Sequence, residues 1–269
     1  MDDYSRIVYR VPVVLFAVLT AALTLASRSL AAAPQTAASV VIFVDFSASV
    51  GGEERAGYKR ELERHVIPWL QAGDSILIAP IHDKTLTRFE PLVQMTIPAK
   101  PEFSGWFDNV LKYGRQQKEI DARIIKTKEL IRTQTAEALT QNRPAPLTDI
   151  FSSLLLAEKL FHEDPRARVL VLMSDMLHDY PPYRFDRMRW RGTTTDTVLA
   201  DLQVKGMIPN LAGVCVYVSG ATANSRELAD QVGRFWQAYF QRTGADMAPS
   251  RYAHVLLRWP PPRASCRSR

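Results

Sequence analysis

At 269 residues with 46% apolar content, the chain has enough material for a packed core in one large domain or two small ones. Its net charge of +6 is modest and spread along the sequence. No block of Lys and Arg with interleaved aromatics occurs, which argues against a nucleic-acid partner.

The N-terminus reads as a targeting segment. Arg6 and Arg10 share the first ten residues with Asp2 and Asp3, and Val11 to Ser27 is uncharged and apolar. Arg28 and the small-residue stretch S-L-A-A-A-P follow, as at a secretory cleavage site after Ala31 or Ala33. At about 17 residues the apolar run is at the lower limit for crossing a bilayer, so the alternative is an uncleaved anchor. Residues 1–33 are therefore expected to be a signal peptide or N-terminal membrane anchor. The folded part is expected outside the cytoplasm, periplasmic or extracellular, secreted or held to the membrane by residues 11–27. No Cys follows the apolar run, so a lipoprotein anchor is not indicated.

Val40 to Val44 is a run of β-branched and aromatic residues, apolar on both faces, as in a central strand of a parallel sheet covered on both sides. It ends in Asp45, Ser47 and Ser49, and Gly51-Gly52 precede a helical pattern over 53–70 in which Tyr58, Leu62, Val66 and Trp69 or Leu70 recur at three- and four-residue steps. Gly73-Asp74 reads as a turn and 75–81 as a second buried strand. Residues 89–97, bracketed by Pro91 and Pro98, read as an edge strand, antiparallel in the simplest arrangement. Residues 102–141 read as a helical insert. Trp106, Phe107, Val110, Leu111 and Tyr113 begin an amphipathic pattern that Ile120, Ile124, Ile125, Leu130 and Ile131 continue. The insert is either a long solvated helix pair packed on the sheet or a rim beside the site at the strand ends.

P-A-P-L-T-D then places Thr148 just before an apolar helix ending at Phe161, which Asp164-Pro165 closes. Residues 168–174 form the next apolar strand, followed by Asp175. The loop after it is rich in aromatics and charge, with His178, Asp179, Tyr180, Tyr183, Phe185 and Trp190. A helix over 194–205, a strand over 211–218, a helix over 225–242 and a final strand over 252–259 complete the pattern, and 260–269 read as a disordered tail. Strands alternating with helices imply an α/β fold, a doubly wound, mostly parallel sheet flanked by helices, within 34–259. Cys215 reads as core packing in a buried strand and Cys266 as free in the tail.

D-x-S-x-S at the carboxyl end of a buried strand is where open α/β sheets bind ligands. One carboxylate and two hydroxyls offer oxygen donors only, which suits Mg²⁺, Mn²⁺ or Ca²⁺ rather than zinc or copper. Thr148 and Asp175 are candidate donors from neighbouring strand ends. Taken singly, each of these residues has a plainer role: Asp and Ser are common in turns and at helix N-caps, and Thr148 stands where it would cap the following helix.

Together they resemble the metal-ion-dependent adhesion site of von Willebrand factor A-type domains, which pairs D-x-S-x-S after the first strand with a later Thr and with an Asp after the fourth strand. The resemblance covers roughly residues 40–259. It implies a Rossmann-like fold and a divalent cation, Mg²⁺ first, with Mn²⁺ or Ca²⁺ as alternatives. It implies direct ligation by Ser47, Ser49 and Thr148, with Asp45 and Asp175 acting largely through water. A protein partner would complete the shell with an acidic side chain. Many members carry D-G where this chain has Asp175-Met176. His178 and Asp179, close in sequence, are candidates for supporting the ligands or contacting the partner.

No G-x-S-x-G elbow, phosphate-binding G-x-x-x-x-G-K or H-E-x-x-H occurs. The sequence therefore reads as an exported binding module rather than an enzyme. The alternatives are a metal-dependent phosphate or ester hydrolase using the same ion site, with His178 or Asp179 assisting, and a metal-free scaffold.

Overall fold

The computed structural model describes residues 37–83, 85–101, 110–141, 145–190 and 194–263, all within one compact unit, Thr36–Arg269. Residues 1–33, the start of the insert at 102–109, and Cys266 lie outside the described residues. Among the described residues no helix is long and apolar enough to cross a membrane.

The first strand, β1 (Ala38–Asp45), is buried along its whole length. Because successive side chains point to opposite faces, Val41 and Phe43 enter one core and Val40, Ile42 and Val44 the other. It pairs in parallel with β2 (Ser75–Ile81) on one side and β4 (Ala167–Met173) on the other. The edge strand β3 (Val93–Thr96) is antiparallel to β2, as its flanking prolines imply. A two-stranded hairpin, β5 (Asp179–Tyr180) and β6 (Tyr183–Arg184), stands apart from the main sheet. With β7 (Val214–Ser219) parallel to β4, the main sheet runs β3-β2-β1-β4-β7.

Helix α1 (Gly52–Glu61) continues through a wider turn, Leu62–Val66, into Ile67–Trp69. The widening has a local cause: Pro68 has no N–H to give and its ring crowds the carbonyl one turn back. Helix α2 (Val110–Thr140) shares the α1 face of the sheet. Helices α3 (Ile150–Phe161), α4 (Thr194–Val204) and α5 (Arg226–Thr243) cover the other. Ser225 caps α5 by accepting the Leu228 N–H, and Gly244, at φ 73°, ends it.

Four expectations are corrected, the first being the disordered tail over 260–269, because Arg263 near its start donates to both Asp74 oxygens and to the Trp69 carbonyl. The described part of the insert is one continuous helix, not a pair. Its Lys128 Nζ donates to the Pro68 carbonyl at the foot of α1, 3.0 Å away. Tyr113 and Gln117, further back along it, hold the Pro101 carbonyl, so only its last residues lead toward the site end of the sheet. The final strand over 252–259 does not form. Asp246, Ala253 and His254 make scattered backbone bonds along β7, but the 3₁₀ turn Pro249–Arg251 interrupts the ladder. Leu256 and Trp259 instead pack against the α1-side core. Cys215 is disulfide-bonded rather than a free packed thiol.

Candidate metal centre

The parallel pairing of β1 with β4 fixes what meets at the carboxyl end of the sheet. Val44 lies opposite Met173, so the chain delivers Asp45 and the Ser174-Asp175 pair side by side. Asp45 is fully buried. Its Oδ1 accepts the Ser47 N–H at 2.8 Å and its Oδ2 accepts the Ser174 hydroxyl at 2.7 Å. The Ser47 and Ser49 hydroxyl oxygens lie 3.0 Å apart. A hydrogen bond from the Ser49 side chain reaches the Asp175 carboxylate, whose Oδ1 also accepts the Leu177 N–H at 2.9 Å. The fold thus links Asp45, Ser47, Ser49 and Asp175 into one cluster.

Thr148 comes from a third direction. Ala145 donates its N–H to the Phe46 carbonyl, and Thr148 exchanges both backbone hydrogen bonds with Asp179, so the segment between them lies between the loops after β1 and β4. The cap of α3 is Asp149, which accepts the Ser152 N–H at 3.0 Å and the Ser152 hydroxyl at 2.6 Å. Thr148 is buried and its side chain is not spent on capping, although no hydrogen bond joins it to the other four.

The electrostatics are those of two acids forced together. Burial pushes the Asp45 carboxyl above the ordinary carboxylate range, against hydrogen bonds from Ser47 and Ser174 and the more distant charge of Arg55. Burial, and then the charge of Asp45, push Asp175 up to about 6, against the hydrogen bonds from Ser49 and Leu177. Tyr58 Oη is driven well above the usual phenol range by burial and by both aspartates. A Cβ on Gly220 would stand 2.1 Å from that hydroxyl and 2.9 Å from the Ser174 carbonyl, and φ there is +101°, so only glycine fits behind the site.

His178 is placed in a different role. It is buried, its Nδ1 accepts the Ile150 N–H at 3.2 Å, and its ring packs 4.2 Å from that of Phe151. Burial pulls its pKa down to about 3, so it is a neutral imidazole closing the start of α3. Asp179 faces Arg184 at 3.4 Å across the hairpin. Ser174 is the site residue that the sequence reading missed. The signal was its place before Asp175 in M-S-D, but only the β1–β4 register aims its hydroxyl at Asp45.

Met176 occupies the position where the resembled family often has Gly, and the structure shows why: its φ is 67°. The left-handed turn is held by the Ser174 hydroxyl accepting the Met176 N–H at 2.9 Å and by Trp236 Nε1 donating to its carbonyl at 2.9 Å. The Met176 side chain is fully buried.

The donor chemistry fits a hard cation. All donors are oxygens, and the 3.0 Å between the two serine oxygens equals both a hydrogen bond and the edge of an octahedron. With Mg²⁺–O bonds of about 2.0–2.1 Å that edge is about 2.9 Å. Among the described residues no three His, Cys, Asp or Glu side chains gather into a metal-binding group, so any ion here would depend on the hydroxyls.

No family model and no curated protein matches the sequence. Solved structures give remote likenesses. One is manganese-loaded TRAP protein of Plasmodium vivax, at 12% identity, TM-score 0.38, with 74% of this chain and 63% of that one covered. Another is proximal thread matrix protein 1 from the mussel byssus. One structure of it gives 10% identity, TM-score 0.37 and coverage of 81% and 43%. A second gives 12%, 0.36, and 77% and 46%. The chain thus spans under two thirds of the length of each. At these scores the likenesses carry nothing further, and the α/β fold is read from the sheet itself.

Proposed function

We propose that this is an exported module, similar to von Willebrand factor A-type domains, that binds a protein partner through a divalent cation. Ser47, Ser49 and Thr148 would hold the ion, Asp45 and Asp175 would neutralise it, and an acidic side chain of the partner would fill the remaining position. The ion supplies a positive centre that a carboxylate can coordinate. The chain's own residues orient the hydroxyls and keep the two carboxylates dry.

One observation carries the reading. Asp45 and Asp175 are buried beside each other, and among the described residues neither is ion-paired with a Lys or Arg. Buried charges ordinarily come paired or on a metal. A like-charged pair lined by hydroxyls is relieved by a divalent cation.

Calorimetric titration of Mg²⁺ and Mn²⁺ into the full chain, beside Asp45→Ala, tests it. Saturable binding in the wild type that the variant loses is the expected result. A wild type that binds neither ion, even with acetate present to stand in for the partner's carboxylate, would overturn it.

A further inference from the structure

A cleft of about 360 Å³ opens between the first turn of α3, the β5–β6 hairpin, the end of α4 and the loop after β2. It adjoins the candidate ion site through shared backbone. Thr148 and Asp179 exchange both hydrogen bonds, at 3.1 and 3.0 Å, and the residues beside that bridge, Asp149, His178 and Tyr180, line the cleft. The cleft and the candidate ligand Thr148 are thus one residue apart along the chain, at Asp149.

The cleft's polar groups are largely committed within the chain. Asp149 is held by Ser152, and His178 takes the Ile150 N–H. Lys205 pairs with Asp201 at 2.6 Å and lies 5.4 Å from the centre of the Tyr183 ring. What the walls offer a visitor is mostly apolar and aromatic, Phe151, Tyr180, Tyr183, the two prolines of the hairpin, Leu202 and Met207, with the Asp83 carboxylate among them. Aromatic walls favour edge and face contacts with another ring. A cavity of about 150 Å³ already accepts benzene, so this volume has room for a phenyl, phenol or indole group.

We propose that the cleft is the apolar half of the same binding site and takes an aromatic side chain of the partner segment whose carboxylate meets the ion. This rests on the cation-dependent reading above. The partner motif is then an acidic residue close in sequence to Phe, Tyr or Trp. The ion gives the attachment point and the cleft gives the selectivity.

The probes are 3-phenylpropionate, propionate and benzyl alcohol, titrated into the full chain in Mg²⁺. They are run on the wild type, on Asp45→Ala, and on Met207→Trp, which plugs the cleft. Burying a phenyl ring should make 3-phenylpropionate bind on the order of tenfold tighter than propionate. That gain should vanish in Met207→Trp, and binding of both carboxylates should vanish in Asp45→Ala. A Mg²⁺ titration on each variant reports the ion site separately.

Equal affinity of the two carboxylates in a wild type that still binds Mg²⁺ would overturn the inference and leave the ion reading standing. Benzyl alcohol binding as tightly as 3-phenylpropionate would also overturn it, because the cleft would then act apart from the ion. A wild type that binds no Mg²⁺, even with propionate present, would remove both readings. A concentration-dependent dimer that 3-phenylpropionate dissociates would assign the cleft to a second copy of the chain, against the proposal.

Discussion

Two fully buried aspartates sit at opposite ends of the same sheet, and the chain treats them in opposite ways. At the amino end, Asp74 accepts the Ala38 N–H at 2.7 Å and the Gln71 N–H at 2.6 Å. It also takes the Arg263 guanidinium on both oxygens at 2.7 Å. That guanidinium lies 3.8 Å from the centre of the Trp69 ring and donates to the Trp69 carbonyl. At the carboxyl end, Asp45 takes one N–H and one hydroxyl, shares its cluster with a second acid, Asp175, and feels only the more distant charge of Arg55. Asp74 is neutralised from within, as a buried charge in a scaffold must be. Among the described residues no such cation closes on Asp45, and in the proposed reading an ion from outside takes that place.

The sharpest way to break this comparison is to remove each counter-charge. Arg263→Met should cost about 3 kcal/mol in urea unfolding, because it strands a buried carboxylate. Asp45→Asn should cost far less in metal-free buffer, and if it costs as much, the two aspartates are equivalent and the contrast fails.

The next effect is in the pH dependence. In the folded chain Asp175 keeps its proton up to about pH 6, against an ordinary value of 3.8. Its folded pKa is raised, so its contribution is present below pH 3.8 and is lost as pH rises through 6. In EDTA this should lower stability across that window by about 3 kcal/mol at most relative to Asp175→Asn. The comparison with the variant is needed because His178 works the other way. Its folded pKa is depressed to about 3 from 6.5, so its contribution is present above 6.5 and lost as pH falls. Saturating Mg²⁺ should remove the Asp175 slope, and a slope of the same size with and without Mg²⁺ would contradict an ion between the aspartates.

The smallest effect concerns the turn beside them. Met176→Gly relaxes a left-handed residue, a gain of about 1 kcal/mol, but empties a fully buried position, a loss of about 2–3 kcal/mol. A net loss of about 1–2 kcal/mol by thermal unfolding is expected. A net gain would show that the φ of 67° holds more strain than the packing returns.

Much of this was legible in the sequence because it is local. Five apolar residues in a row before Asp45 specify a strand covered on both faces, and a second run before Asp175 does the same. Two such strands in parallel bring their following loops together. Ser174 was not legible, since its role depends on which β4 residue lies beside Val44, and register is a property of pairing. The tail misled for the same reason. Residues 252–259 alternate well enough for a strand, but Pro249–Arg251 turns before the edge of β7 can be followed, and Leu256 and Trp259 find apolar partners on α1's side of the sheet. His178 looked like a site residue because it lies near Asp175 in sequence. In the structure it accepts the Ile150 N–H and packs on Phe151, which sets it in the wall of the neighbouring cleft.

The pairing of Asp74 with Arg263 also has a bearing on how the chain is made. The two residues are 189 positions apart. Synthesis runs from the amino end, so β1 and β2 emerge with Asp74 between them long before its guanidinium exists. Throughout that interval the start of the sheet must either stay open to water or carry an uncompensated charge. The joint at the amino end of the sheet therefore cannot close before Arg263 has been made, which ties the two ends of the domain into one step of assembly.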